Sequence, residues 1–219
     1  MNAENFDTVV FDIGNVLIPW EPRTLLRKLL PDDQAVERFM REVDFLAWNG
    51  KLDAGQSFAQ GVREQSLAFP HYAAIFQAYF ERWEETIGAP IEGSVALLRR
   101  LRAAGFRVLA LTNFSRETFP LARRRYPFLQ EFSGILVSGE EKLIKPDPAI
   151  YRLLCERYSV LAARAVFIDD SVPNVESARQ LGFHALHFTT PENLQKDLFA
   201  LGLLPEKASF SSRAPSDLA

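Results

Sequence analysis

The chain has 219 residues, 47% hydrophobic and 24% charged, with a formal net charge of −3. That is enough apolar chain for one large domain or a core carrying an insertion, and the slight acidity gives no electrostatic basis for binding nucleic acid or an anionic membrane. No apolar stretch approaches the ~18 residues that cross a bilayer, the polar opening at Asn2, Glu4 and Asn5 lacks the form of a signal peptide, and the single cysteine, Cys155, rules out an internal disulfide, so a cytoplasmic protein is expected.

Residues 6–13 (FDTVVFDI) form a β-rich apolar run that ends in Asp12 and is followed by Gly14, which reads as a buried strand entering a turn. From about 20 to 88 there is no strand candidate. Consecutive helices are expected there, with Val36, Phe39, Met40 and Val43 on one apolar face and Ile75, Phe76, Tyr79, Phe80 and Trp83 on another. Gly50, Gly55, Pro70 and Gly88 mark the breaks. Strand candidates return at 107–112 (RVLALT), 134–137 (GILV), 165–168 (AVFI) and 184–188 (HALHF).

Between them lie helical patterns. Val95, Leu98 and Leu101 repeat at helical spacing over 94–104, with Gly105 as the C-terminal cap. Over 147–158, Asp147 is the N-cap, Pro148 suits the first turn, and Ile150, Leu153 and Leu154 make the apolar stripe beside which Cys155 packs. The run Arg123-Arg124-Arg125 reads as a solvated helix face. Such alternation predicts an α/β fold, a parallel sheet with helices on both faces. The expected domains are a core of residues 1–19 and 89–205, an all-helical insertion at 20–88, and a Ser-, Ala- and Pro-rich tail at 206–219 forming a mobile end.

Four segments sit at or just past predicted strand ends, where ligands of open parallel sheets collect: Asp12 in FDIGN, Thr112-Asn113 in LALTN, Lys145 in IKPDP, and Asp169-Asp170 in FIDDS. Each alone is weak, since an Asp after a strand is commonly a turn former and an Asp-Asp pair is usually solvated. Their ordered combination is far more specific. It resembles the haloacid dehalogenase-like hydrolase superfamily over nearly all of residues 6–190, in the subgroup with a helical cap after the first strand and a first motif D-x-G-N-V, which includes sugar-phosphate phosphatases.

The resemblance implies a Rossmann-like core and Mg²⁺-dependent hydrolysis of a small phosphorylated metabolite through an aspartyl phosphate on Asp12. A carboxylate nucleophile splits a difficult displacement into two easier steps, and Mg²⁺, which prefers oxygen ligands, offsets its repulsion from phosphate. By the same resemblance Asp12, Asp170 and the Gly14 carbonyl hold the metal, with Asp169 as outer partner in a pair whose roles can exchange. Lys145 neutralises phosphate and pairs with Asp12. The Thr112 hydroxyl and the backbone N–H groups of Asn113 and Ile13 bind phosphate oxygens.

The sequence departs from the usual phosphatase pattern at Gly14, where a second Asp ordinarily protonates the leaving group. Asn15 cannot shuttle a proton near neutral pH, and such help is typically worth ~10²–10⁴-fold. Either another group or a water replaces it, or the substrate has a good leaving group, or the protein binds phosphorylated ligands without much turnover. The second is favoured, with an anomeric or acyl phosphate as substrate; Gly14 itself would serve a turn requiring positive φ.

The rivals are a metal-free 2-haloacid dehalogenase, which the adjacent carboxylates Asp169-Asp170 disfavour, and a non-catalytic phosphate-ligand-binding protein. Trp20, Arg23 and a loop Trp48-Asn49-Gly50-Lys51 are the candidates for facing the substrate, while His71, His184 and His187 lack the spacing of a zinc site or triad. The sequence leaves the oligomeric state open.

Overall fold

The computed structural model describes residues 6–205; the tail expected to be mobile lies outside the described residues. Five strands, β1 (Thr8–Phe11), β2 (Arg107–Thr112), β3 (Gly134–Val137), β4 (Ala165–Asp169) and β5 (His184–His187), form one parallel sheet in the order β3-β2-β1-β4-β5. All five fall where the apolar runs predict. Their continuous hydrophobicity follows from burial on both faces. Val9, Phe11, Val108, Ala110, Val166 and Ile168 point into one core layer, while Val10, Leu109, Leu111 and Phe167 point into the other against Ile150, Tyr151 and Leu154.

Five helices follow β1 as a contiguous insertion: α1 (Arg23–Leu29), α2 (Asp33–Glu42), α3 (Phe45–Asp53), α4 (Phe58–Ala68) and α5 (Ala73–Glu81). Asp32 caps α2 by accepting from the Ala35 N–H at 2.7 Å, and Ser57 caps α4 by accepting from Gln60 N–H at 3.2 Å. Phe39, Phe45, Trp48, Phe76 and Tyr79 are buried together as the centre of this helical layer. Two expectations need correction. Phe80 is 36% exposed, stacking on Phe58 at the rim, and Trp48-Asn49-Gly50-Lys51 belongs to α3, not to a loop. The insertion leaves and re-enters the core side by side, through a Trp20–Ile87 bridge and the Glu21 N–H bonded to the Thr86 carbonyl at 2.7 Å.

The remaining helices are α6 (Glu92–Ala103), α7 (Phe119–Arg125), the single turn α8 (Ser138–Glu141), α9 (Pro148–Tyr158), α10 (Val172–Gln180) and α11 (Pro191–Ala200). Gly105 closes α6 with φ 92°, a left-handed conformation that favours glycine. Asp147 caps α9 by accepting from the Ala149 N–H at 2.8 Å, and partly buried Cys155 packs against the second core layer. Among the described residues no helix is long and apolar enough to cross a membrane.

α8 abuts the loop after β2 so closely that a Cβ on Gly139 would lie 2.6 Å from the Arg116 backbone nitrogen and 2.7 Å from the Phe114 carbonyl oxygen. Backbone cannot yield as a flexible side chain can. Gly139→Ala should therefore cost about 1–3 kcal/mol by overpacking, read as a lower midpoint in urea with an unchanged m-value.

Candidate active site

The chain runs β1, β2, β3 to one side of the sheet and then places β4 and β5 on the other, so the connections diverge between β1 and β4. The carboxyl ends of strands at such a switch point form a crevice. Asp12 lies at that point, its N–H bonded to the Ile168 carbonyl at 2.8 Å, and Asp169 closes β4 beside it. Lys145 arrives from the loop before α9. Its backbone is fixed by Asn113, whose Oδ1 accepts from the Lys145 N–H at 2.9 Å and whose Nδ2 donates to the Lys145 carbonyl at 3.0 Å.

The Lys145 side chain is buried. Its Nζ donates to Asp12 Oδ1 at 2.9 Å, to Asp169 Oδ2 at 2.7 Å and to the Leu111 carbonyl at 2.9 Å. Asp169 is further held by the Ser171 N–H at 2.8 Å and by Asn174 Nδ2 at 3.0 Å. Asp170 is half-buried and completes a group of three carboxylates: one oxygen each from Asp12, Asp169 and Asp170 lie within 4.8 Å of one another.

Three anions against one ammonium leave a strained electrostatic balance. Burial pushes Asp12 up to about 7, with Lys145 opposing and Asp169 and Asp170 adding to the rise. Asp170 is raised by burial and by Asp169. Burial alone would lower Lys145, but Asp12 and Asp169 outweigh it and hold it above the usual lysine range.

Of the other predicted residues, Thr112 is fully buried and its hydroxyl has no hydrogen-bond partner. The Ile13 N–H donates to Asp12 Oδ1 at 2.7 Å. The Gly14 carbonyl accepts from the Val16 N–H at 2.7 Å, and Gly14 has no positive φ; the left-handed residue of this turn is Asn15, at φ 54°. The expectation that the turn demands glycine at position 14 is thus overturned, and a Cβ there would meet nothing within 4 Å.

A cavity of about 170 Å³ opens over these strand ends, bounded below by Asp12, Asn113 and Asp170 and above by the helical layer. Trp20 and Asn49 reach it, whereas Arg23 pairs with Glu37 at 2.7 Å and Lys51 is exposed. Sequence reasoning missed Asp53, Ser115 and Asn174. Asp53 has no motif around it and is brought to the site by tertiary folding, whereas Ser115 follows Asn113 by two residues and Asn174 follows Asp170 by four.

The sequence profile of haloacid dehalogenase-like hydrolases matches residues 6–182. A sesquiterpene phosphatase of Aspergillus oryzae is 28% identical over 84% of this chain and 90% of its own length. An (S)-2-haloacid dehalogenase of Pseudomonas is 27% identical over 54% of this chain, which spans about half (51%) of that enzyme. Among solved structures, a HAD family enzyme of Bacteroides thetaiotaomicron superposes with a TM-score of 0.72 at 19% identity, over 88% of this chain and 98% of that one. The same enzyme is also known in complex with magnesium and inorganic phosphate. A profile spanning most of the chain, on a parallel core with these strand-end residues gathered, makes the protein a member of the haloacid dehalogenase-like hydrolase family.

Proposed function

We propose that this hydrolase is a Mg²⁺-dependent phosphatase that takes the phosphoryl group of a small phosphate monoester onto Asp12. One observation carries the reading: three clustered carboxylates are balanced by Lys145 alone, a deficit of two positive charges. A divalent cation suits that deficit and that all-oxygen donor set. Asp12, Asp170 and the Gly14 carbonyl would hold it. Asp169, already occupied by Lys145, Ser171 and Asn174, would steady the arrangement from outside.

When bound, the metal supplies charge neutralisation between carboxylate and phosphate. The chain's own groups do the rest. Lys145 keeps Asp12 oriented and offsets phosphate charge. A phosphate oxygen would satisfy the orphaned Thr112 hydroxyl, which otherwise costs about 1–3 kcal/mol. The Asn113 N–H, and the Ile13 N–H once it leaves Asp12 Oδ1, would complete the phosphate cradle, and residues 20–88 would act as a cap over a core of 1–19 and 89–205, excluding water.

The cavity walls define the organic part of the substrate. Ile18, Trp20, Phe58, Trp83, Ile87 and Phe114 line it, and no Arg, Lys or His is among the lining residues. An uncharged leaving group fits; a second anion would face Asp53 with no partner. A monoester bearing a carboxylate, such as 2-phosphoglycolate, is expected to show kcat/KM at least ~10-fold below an uncharged alkyl phosphate of similar size, because an unpaired like charge costs several kcal/mol.

The deciding experiment is hydrolysis of acetyl phosphate and p-nitrophenyl phosphate with Mg²⁺ and with EDTA. Saturable, Mg²⁺-dependent phosphate release supports the reading. Halide release from a 2-haloacid in EDTA would instead favour dehalogenation, the activity of a named relative. Ligand binding without turnover of either class would reduce the protein to a binding module.

A further inference from the structure

We propose that Asp53, at the C-terminal end of α3, is the acid–base residue of the site, donating a proton to the leaving oxygen and then receiving one from the attacking water. The inference rests on the phosphatase reading above. Among the described residues only three titratable side chains line the cavity, namely Asp12, Asp53 and Asp170. In that reading Asp12 is the nucleophile and Asp170 would help to hold the metal. Gly14, at the edge of the same cavity, has no side chain to offer.

The placement of Asp53 is built, not incidental. Its Oδ2 accepts from Asn49 Nδ2 at 2.8 Å, and Asn49 Oδ1 in turn accepts from the Tyr79 hydroxyl at 3.0 Å. The Asp53 backbone carbonyl accepts from Ser138 Oγ at 2.6 Å, and that same Oγ accepts from the Phe114 N–H at 2.9 Å. The helical layer is therefore pinned to the core at the residue whose side chain opens into the cavity.

Among the described residues Asp53 has no ion-pair partner, so packing alone gives no reason for a carboxyl over an amide here. Burial pushes its pKa up to about 7, with the Ser115 N–H opposing and Asp12 adding to the rise. Of the titratable groups around it, Asp12 from the core and Tyr79 from α5 interact with it directly and Asp170 shares the cavity, while Lys145 from the core, Glu117 beside Phe58, Glu140 and Glu141 on α8 and Lys142 against Gly55 lie on the surrounding elements.

In the first step an Asp12 oxygen bonds to phosphorus and the bond from phosphorus to the leaving oxygen breaks. The electron pair stays on that oxygen, which takes the Asp53 proton and departs as the alcohol. In the second, water bonds to phosphorus while Asp53 carboxylate accepts its proton. The phosphorus–Asp12 bond breaks with its pair returning to Asp12, and inorganic phosphate leaves.

The test compares wild type and Asp53→Asn for phosphoenzyme formation, by rapid acid quench, from an n-alkyl phosphate and from acetyl phosphate, whose leaving group needs little protonation. The alkyl ester should lose ~10²–10⁴-fold, and acetyl phosphate at least ~10-fold less than that, because acid help scales with leaving-group basicity. In the wild type, the ionisation of Asp53 should give alkyl-ester rates a falling alkaline limb alongside the rise that comes from ionising Asp12, and the variant should lose the falling limb only. Gly14→Asp added to Asp53→Asn should recover alkyl-ester turnover, since the site has room for the side chain.

Equal losses on both substrates would reassign Asp53 to holding the helical layer in place, and no loss would remove it from the mechanism. Either result leaves wild-type turnover intact. Absence of wild-type phosphoenzyme from both substrates would instead sink the phosphatase reading.

Discussion

Asp12→Asn should abolish Mg²⁺-dependent turnover, by on the order of 10⁴–10⁶-fold as for removal of other nucleophiles, while making the metal-free protein more stable at pH 8. The second half follows from the direction of its pKa. The folded protein raises Asp12 from 3.8 to about 7, through burial first, with Asp169 and Asp170 adding to it against Lys145. A carboxyl raised on folding is stabilising relative to neutral pH only while it keeps its proton. Its cost appears above the unfolded value and is complete once pH passes the folded one.

Asparagine has the same shape and never ionises. The variant should therefore gain about 1–3 kcal/mol over wild type at pH 8, less than the full linkage value because the site relaxes, with the gain fading toward pH 4. Urea unfolding at the two pH values, in EDTA, measures it. Saturating Mg²⁺ should reverse the order, because it binds the wild-type carboxylates more tightly. A variant that is equally destabilised at both pH values would mean that Asp12 holds the fold and is not held by it.

The fold and most of this site were legible in the sequence for the same reason. Parallel strands buried on both faces are short unbroken apolar runs, and the residue that ends such a run is at the crevice whatever surrounds it. Asp12, Thr112 and Asp169 could thus be located from strand ends, whereas Lys145, expected just past a strand end, lies in the loop between α8 and α9 and was found by motif order alone. What escaped depends on long-range packing. Asp53 lies in KLDAG, where a lone Asp near a glycine reads as a helix end; only the docking of α3 on Ser138 and Ser115 turns it toward Asp12.

Asn174, only four residues past Asp170, bonds both Asp169 oxygens because α10 starts three residues after the end of β4. The backbone at position 14 was misread for a related reason. A glycine after an Asp suggests positive φ, but the turn puts that strain on Asn15, whose side chain repays it by accepting from the Trp20 N–H at 3.0 Å. The expectation of an unusually good leaving group was preferred over another reading of Gly14, a replacement group elsewhere in the site, and the role proposed for Asp53 would favour that second reading instead.

Lys145→Met should be the mirror image of Asp12→Asn, losing both activity and stability. The ammonium lies between Asp12 and Asp169 with its side chain fully buried, and removing it leaves three clustered carboxylates with no counter-charge. Breaking a buried ion pair in this way typically costs about 3–5 kcal/mol, a fall in Tm of roughly 6–20 °C for a chain of this size. The loss should be present across neutral pH, because Asp12 and Asp169 hold Lys145 charged to above the usual lysine range. It should shrink below about pH 7, as Asp12 takes up its proton. Turnover should drop by at least ~10²-fold, the usual cost of deleting a preorganised electrostatic contact to a reacting group. The double variant Asp12→Asn/Lys145→Met separates charge from packing. With one anion already neutralised, the lysine should be missed less, by about 1–3 kcal/mol of coupling. Strict additivity in urea midpoints would mean that Lys145 stabilises the fold through something other than its pairing with Asp12, such as its Nζ lying 5.7 Å from the Phe167 ring centroid, and the charge deficit would no longer support a divalent cation.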